Sequence, residues 1–153
     1  MATKPMTPAA KPMADVDVPA SKWLPPVLAG WLIPGGGHFL LGKHARGALL
    51  ALAVVVMFTC GIMMRGATFQ KPFFDMIDGQ QRLDLLTKVI TGGGFIGNVA
   101  SGLPYLMTAW FSYDQADVAG HVHDYGTKFL VAAGLLNILA LVDVYEIAKR
   151  KKD

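Results

Sequence analysis

Charge is what this sequence has least of. Only 16% of its 153 residues are Asp, Glu, Lys or Arg, against about 25% in a soluble domain. That shortfall points to lipid rather than water. Cysteine is scarcer still. The single Cys60 excludes an intramolecular disulfide, and its place inside an apolar run makes it a small packing residue. No Walker loop, H-E-x-x-H or G-x-S-x-G occurs, so the usual phosphate, zinc-protease and serine-hydrolase sites are excluded. Gly92-Gly93-Gly94-x-x-Gly97 mimics a dinucleotide fingerprint but lacks the strand and the acidic partner that the motif needs. No cofactor and no enzyme activity are expected.

The 14 Lys and Arg give a net charge of +3 and a pI near 9.1. They are scattered between apolar runs and never form a stripe interleaved with aromatics. Their expected role is to set membrane orientation and meet anionic headgroups, not to bind nucleic acid.

What is abundant is apolar residue in blocks. Hydrophobic residues make up 53% of the chain, with a mean hydropathy of +0.41. A transmembrane helix needs roughly 20 mainly apolar residues. Four stretches meet or approach that: 23–41, 47–64, 88–111 and 129–147. The expectation is one all-α membrane domain over 22–153 with four spans, after a flexible cytoplasmic tail at 1–21. That polar leader is too long for a signal peptide, and no A-x-A site follows the first apolar run.

The organising stretch is 31–47, where Pro34-Gly35-Gly36-Gly37-His38 interrupts the first apolar run just before a short basic turn. Unpaired backbone in hydrocarbon costs several kcal/mol per group, so this break must pack on protein or face water. The reading is a broken first helix whose Pro34–His38 joint is non-helical and packs on the fourth span, with Asn137 satisfying its free backbone groups. Pro25 and Pro26 suit the start of that helix. Residues 66–87 mix Phe, Leu and Ile with Asp and Arg, which fits amphipathic turns lying at the interface. The third run carries Gly93, Gly97 and Ser101 at i, i+4 and i+8. Such small-residue faces let helices approach closely in lipid. Trp110, Phe111 and Tyr113 close it as an aromatic belt.

Eleven of the 14 Lys and Arg lie in the N-terminal tail, in 65–88 and at the C-terminus, against three at Lys43, Arg46 and Lys128. The positive-inside rule then puts both termini in the cytoplasm and 43–46 and 114–128 outside. A re-entrant first segment would change that count.

Several polar residues stand out. His38 follows the glycine break, as either a ligand or proton-relay group or a helix-end histidine. Asn137 and Asp143 lie six residues apart, about 240° around a helix, so they do not share a face. Asn137 reads as interhelical hydrogen-bond glue. Asp143 and Glu146, at i, i+3, form an interfacial rim, with Arg150 in reach of Glu146. His121, His123 and Asp124, with Asp114 and Asp117 upstream, are candidate metal ligands in a polar turn. H-x-H spacing is weak, and a solvated loop is the simpler reading. The glycine triplets at 35–37 and 92–94 stand 57 residues apart, and broken helices in matching halves can mark a transport site.

Trp31 to Gly42 (W-L-x-P-G-x-G-H-F-x-x-G) and Gly134-Leu135-Leu136-Asn137 onward to Asp143 (G-L-L-N-x-L-x-x-x-D) resemble an uncharacterised bacterial family of small multi-span membrane proteins. The first hairpin is also similar to the two-span membrane hairpin family, although Leu40-Leu41 stands where that family has an aromatic-Tyr pair. The resemblance implies a multi-pass protein of the bacterial inner membrane and no settled activity. Two functions fit these features. One is an accessory or scaffold subunit that packs on other membrane proteins, or on itself, through glycine faces. The other is a small solute, ion or metal path built from the broken first helix and the polar groups of the last span.

Overall fold

The computed structural model describes residues 18–79, 84–113 and 121–150. Among these residues there are seven helices and no strand: α1 (Ala20–Leu32), α2 (Gly36–Leu40), α3 (His44–Met63), α4 (Gln70–Ile77), α5 (Leu85–Ala100), α6 (Leu103–Trp110) and α7 (His121–Arg150). Among the described residues only α3 and α7 are long and apolar enough to cross a membrane. Both arise from uninterrupted Ala, Leu and Val runs. They pack antiparallel, with Gly61 against Leu130 at one end and Arg46 beside Asp143 at the other. The end where α1 and α3 begin and α7 finishes is called the near end.

The other two expected spans are each broken. The 13 residues of α1 rise about 20 Å, short of a hydrocarbon core of about 30 Å. The chain turns at Ile33-Pro34-Gly35, with Gly35 at φ +78°, and α2 folds back along α1. Gly36 then lies on Ala29 and Gly37 on Pro26, so close that a Cβ on either would meet a backbone oxygen. The joint is therefore narrower than expected, since His38 is already helical. Pro25 and Pro26 sit in the second turn of α1 rather than at its start.

The 88–111 run, expected as one span, breaks the same way. Helix α5 ends at Ser101, Gly102 adopts φ +71°, and Pro104 stands in the first turn of α6. A left-handed glycine and a residue without N–H end one helix and start another. Then α6 returns to the far end, where the Tyr113 hydroxyl donates to Gly66 O at 3.2 Å. Helix α5 runs parallel to α7, with Gly97 on Val131 and Ala100 beside Asn137.

The architecture is thus two long antiparallel helices embracing two short hairpins that approach from opposite ends. Val54, Phe58, Tyr105, Leu130 and Ala133 form the core where α3, α6 and α7 meet. Outward faces stay apolar. Only 22% of the most apolar window of α3 and 39% of that of α7 are buried against protein, and Leu49, Leu52, Leu135 and Leu139 are exposed.

The last helix starts at least eight residues before the expected 129, so His121, His123 and Asp124 lie in its opening turns rather than in a loop. Extending an existing helix is easy per residue, and Asp124 is favourably placed near its start. Asp114 and Asp117, the tail at 1–17 and the side chain of Arg150 lie outside the described residues.

Candidate functional site

The hairpin tips meet midway along α7. Helices α1 and α5 both arrive there C-terminus first, and the last-turn carbonyls of a helix have no intrahelical partner. In an apolar interior each must find a donor. Trp31 Nε1 donates to Val99 O at 3.1 Å. Asn137 Nδ2 donates to Ala100 O at 2.8 Å and to Gly30 O at 3.4 Å, so one amide joins both tips to α7. Gly102 lies so close to Trp31 O that no Cβ would fit. Asn137 therefore staples the two hairpins together, and it does not serve the Pro34–His38 joint as expected.

The joint is held otherwise. Pro34, Gly35 and Gly37 are buried. A Cβ on Gly35 would strike Gly47 O of α3, and one on Gly37 would lie 2.8 Å from both Val144 methyls of α7. His38 is wholly buried, and its Nε2 donates to Asp143 Oδ2 at 2.9 Å. Its Nδ1 is buried without a partner. Arg46, 58% exposed, reaches the same Oδ2 at 3.3 Å, and Asp143 is 40% exposed. Three elements thus converge on one carboxylate: α2, α3 and α7. Asp143 is tied to α2 and α3.

Of the expected small-residue face, Gly97 packs on Val131 and Gly134, and Ser101 is buried with its hydroxyl donating to Asn98 O. Gly93 lies off that face, and a Cβ there would meet nothing within 4 Å. The packed positions follow Gly94, Gly97 and Ser101 instead, with Gly94 against the Phe69 ring.

At the far end a cavity of about 1210 Å³ opens between α4, α5, α6 and α7. Its floor includes Gly94 and Val131, and its walls carry Lys71, Asp75, Asp124 and Lys128. The Thr127 hydroxyl accepts from Ala67 N at 2.9 Å and donates to His123 O. Burial pushes the Tyr113 phenol up from its ordinary value, with the nearby Arg65 charge opposing it. It thus stays a neutral donor to the carbonyls at the end of α3. His123 Nδ1 donates to Arg65 O at 2.8 Å. Among the described residues no three metal-ligating side chains come together, His121, His123 and Asp124 included.

The sequence reading passed over Asn98. It is fully buried on α5, and neither its Nδ2 nor its Oδ1 has a partner. Its signal was an amide inside an apolar run, the same signal that Asn137 carries. Arg46 was read only as a charge of the short turn and Trp31 only as the start of a motif, because their partners lie 97 and 68 residues away.

No curated protein and no solved structure matches this chain. A family profile does match, over residues 26–153, which takes in every helix except the first turns of α1. The chain belongs to DUF6677, a family of unknown function.

Proposed function

We propose that the protein sits in a membrane and passes a small polar solute or ion between its two faces. In this reading α3 and α7 cross the bilayer, while α1–α2 and α5–α6 each enter from one face and return to it. The fourfold crossing expected from hydropathy becomes two crossings and two re-entrant hairpins. The 43–46 turn then shares a side with both termini, and nine of the 14 Lys and Arg belong to that side. The positive-inside rule makes it the cytoplasmic one.

The observation that carries the reading is the meeting of two broken helices at mid-depth, beside buried Asn98, Ser101 and Asn137. Irregular backbone and buried amides at that depth weaken a structure that only needs to stay in the membrane. Half-helices that end there are a recurrent way to build a solute site. The glycine-faced scaffold has less support. Gly30, Gly94, Gly97 and Gly134 meet the chain's own elements, and on α5 only Gly92 and Gly93 face open space.

The test is flux through vesicles containing the purified chain, against empty vesicles, for protons, potassium, chloride and glycerol. Passage of any of them above background supports the reading. Background rates for all four, with the protein inserted and folded, contradict it and return the weight to the accessory-subunit alternative.

A further inference from the structure

The groups at mid-depth carry a sign, and it bears on what passes. Helices α1 and α5 both aim C-termini at the centre, where their end carbonyls hold negative partial charge. Two of the donors nearby are already engaged. Trp31 Nε1 bonds Val99 O, and the Asn137 amide nitrogen bonds Gly30 O and Ala100 O. The N-termini of α2 and α6 also face this region. Gly36 N already bonds Ile33 O at 2.7 Å, and Pro104 in the first turn of α6 has no N–H.

Among the described residues four buried side-chain atoms lack a partner: Asn98 Oδ1, Asn98 Nδ2, Asn137 Oδ1 and His38 Nδ1. Two of them, the asparagine Oδ1 atoms, accept hydrogen bonds, and one, Asn98 Nδ2, donates. Both asparagines and His38 are wholly buried. No Lys or Arg is buried among the described residues. Toward the near end the next ionisable group is the Asp143 carboxylate, against which Arg46 lies largely exposed. The far cavity carries both signs, Lys71 and Lys128 with Asp75 and Asp124. Discrimination therefore falls to the centre, where two unpartnered amide oxygens and two helix C-termini stand against one unpartnered amide nitrogen.

We propose that the species passed is a small cation, with protons and alkali ions in that class and anions excluded, and that Asn98 and Asn137 are its positioning residues. This rests on the passage reading above. The chemistry is that of neutral oxygens replacing a hydration shell, with the Asp143 carboxylate as the near-end station for the charge.

The experiment is the reversal potential of the full chain in a planar bilayer under a potassium chloride gradient, with glycerol flux measured in parallel vesicles. The expected result is a potential of the sign set by potassium. A potential of the sign set by chloride, or glycerol flux without current, overturns the cation assignment and leaves passage standing. Absence of both current and flux overturns both. Asn98→Leu, which replaces an unpartnered amide by an apolar side chain of similar shape, separates a conducting role from a structural one. It should cut the current at least tenfold while leaving thermal stability equal or higher. Lower stability with unchanged current per folded protein would make Asn98 structural and sink its assignment. Asp143→Asn, which keeps the shape, should lower the potassium current without changing its sign. Unchanged current there would remove Asp143 from the path.

Discussion

The two hairpins solve one problem by different means. Each must reverse direction in the middle of the molecule, and each uses a glycine at positive φ to do so, Gly35 and Gly102. The near hairpin is then locked by backbone proximity and by charge. Gly36 and Gly37 lie directly on α1, and His38 is tied to Asp143. The far hairpin is padded with rings. Phe73 stacks on Phe95 at 3.9 Å, and Phe95 meets Tyr105 edge-on at 6.2 Å. Its triplet glycines are also used unequally, since Gly94 is filled by Phe69 while Gly92 and Gly93 have no neighbour. Glycine in a close-packed joint and glycine on an open face look alike in sequence. Their mutational consequences differ in sign.

Breaking the near joint should have the largest effect. Replacing Gly35, Gly36 and Gly37 together by Ala puts a side chain at a left-handed position and drives methyl groups into Gly47, Ala29 and Pro26. Left-handed backbone costs an L-residue about 1–2 kcal/mol and overpacking about 1–3 kcal/mol per site. The triple variant should therefore fail to fold or lose most of its stability, seen as aggregation on gel filtration in detergent. Next comes Asn137→Leu, which orphans Gly30 O and Ala100 O at once. Interhelical hydrogen bonds in membranes are worth roughly 1–2 kcal/mol or less each, so a loss of about 2–3 kcal/mol is expected. Hydrogen exchange should rise at both tips, and a rise at only one would show that the staple is one-sided. Asp143→Asn should loosen the near hairpin alone, by about 1 kcal/mol, with proteolysis or exchange increasing around 36–43 and not around 101–104. The smallest effect is the control. Gly92→Ala and Gly93→Ala on the open face should be neutral, or stabilising by up to about 1 kcal/mol through helix propensity. A clear loss of stability there would mean that the open face is an interface.

Legibility followed the range of the forces involved. The long helices could be read because Gly47–Met64 and Phe129–Ile147 are unbroken apolar runs. The first break could be read because Pro34 precedes three glycines. The second could not, although Gly102 and Pro104 were in plain view. A 24-residue apolar run is long enough to span, and length outweighed two punctuating residues. The first turns of α7 were missed because His121 to Lys128 are polar, and a helix projecting beyond its apolar stretch has no hydropathy signature. The site itself was only half legible. His38, Asn137 and Asp143 each stood out as polar groups in apolar surroundings. Their partnerships span 105 residues for His38 with Asp143 and 107 for Asn137 with Gly30, and depend on hairpins folding back. Helical periodicity put Asn137 and Asp143 on different faces; Asn137 meets both hairpin tips, whereas Asp143 meets His38 and Arg46.

The central claim is that the first apolar segment goes in and comes back. Single cysteines at Ser21, Lys43, Thr68 and Ser112, introduced with Cys60 replaced by Ala, test it through a membrane-impermeant thiol reagent applied to sealed vesicles. Two re-entrant hairpins predict that positions 21 and 43 react from one side, and that 68 and 112 react only from the other. Labelling of 21 and 43 from opposite sides would make the segment a full span and contradict the account.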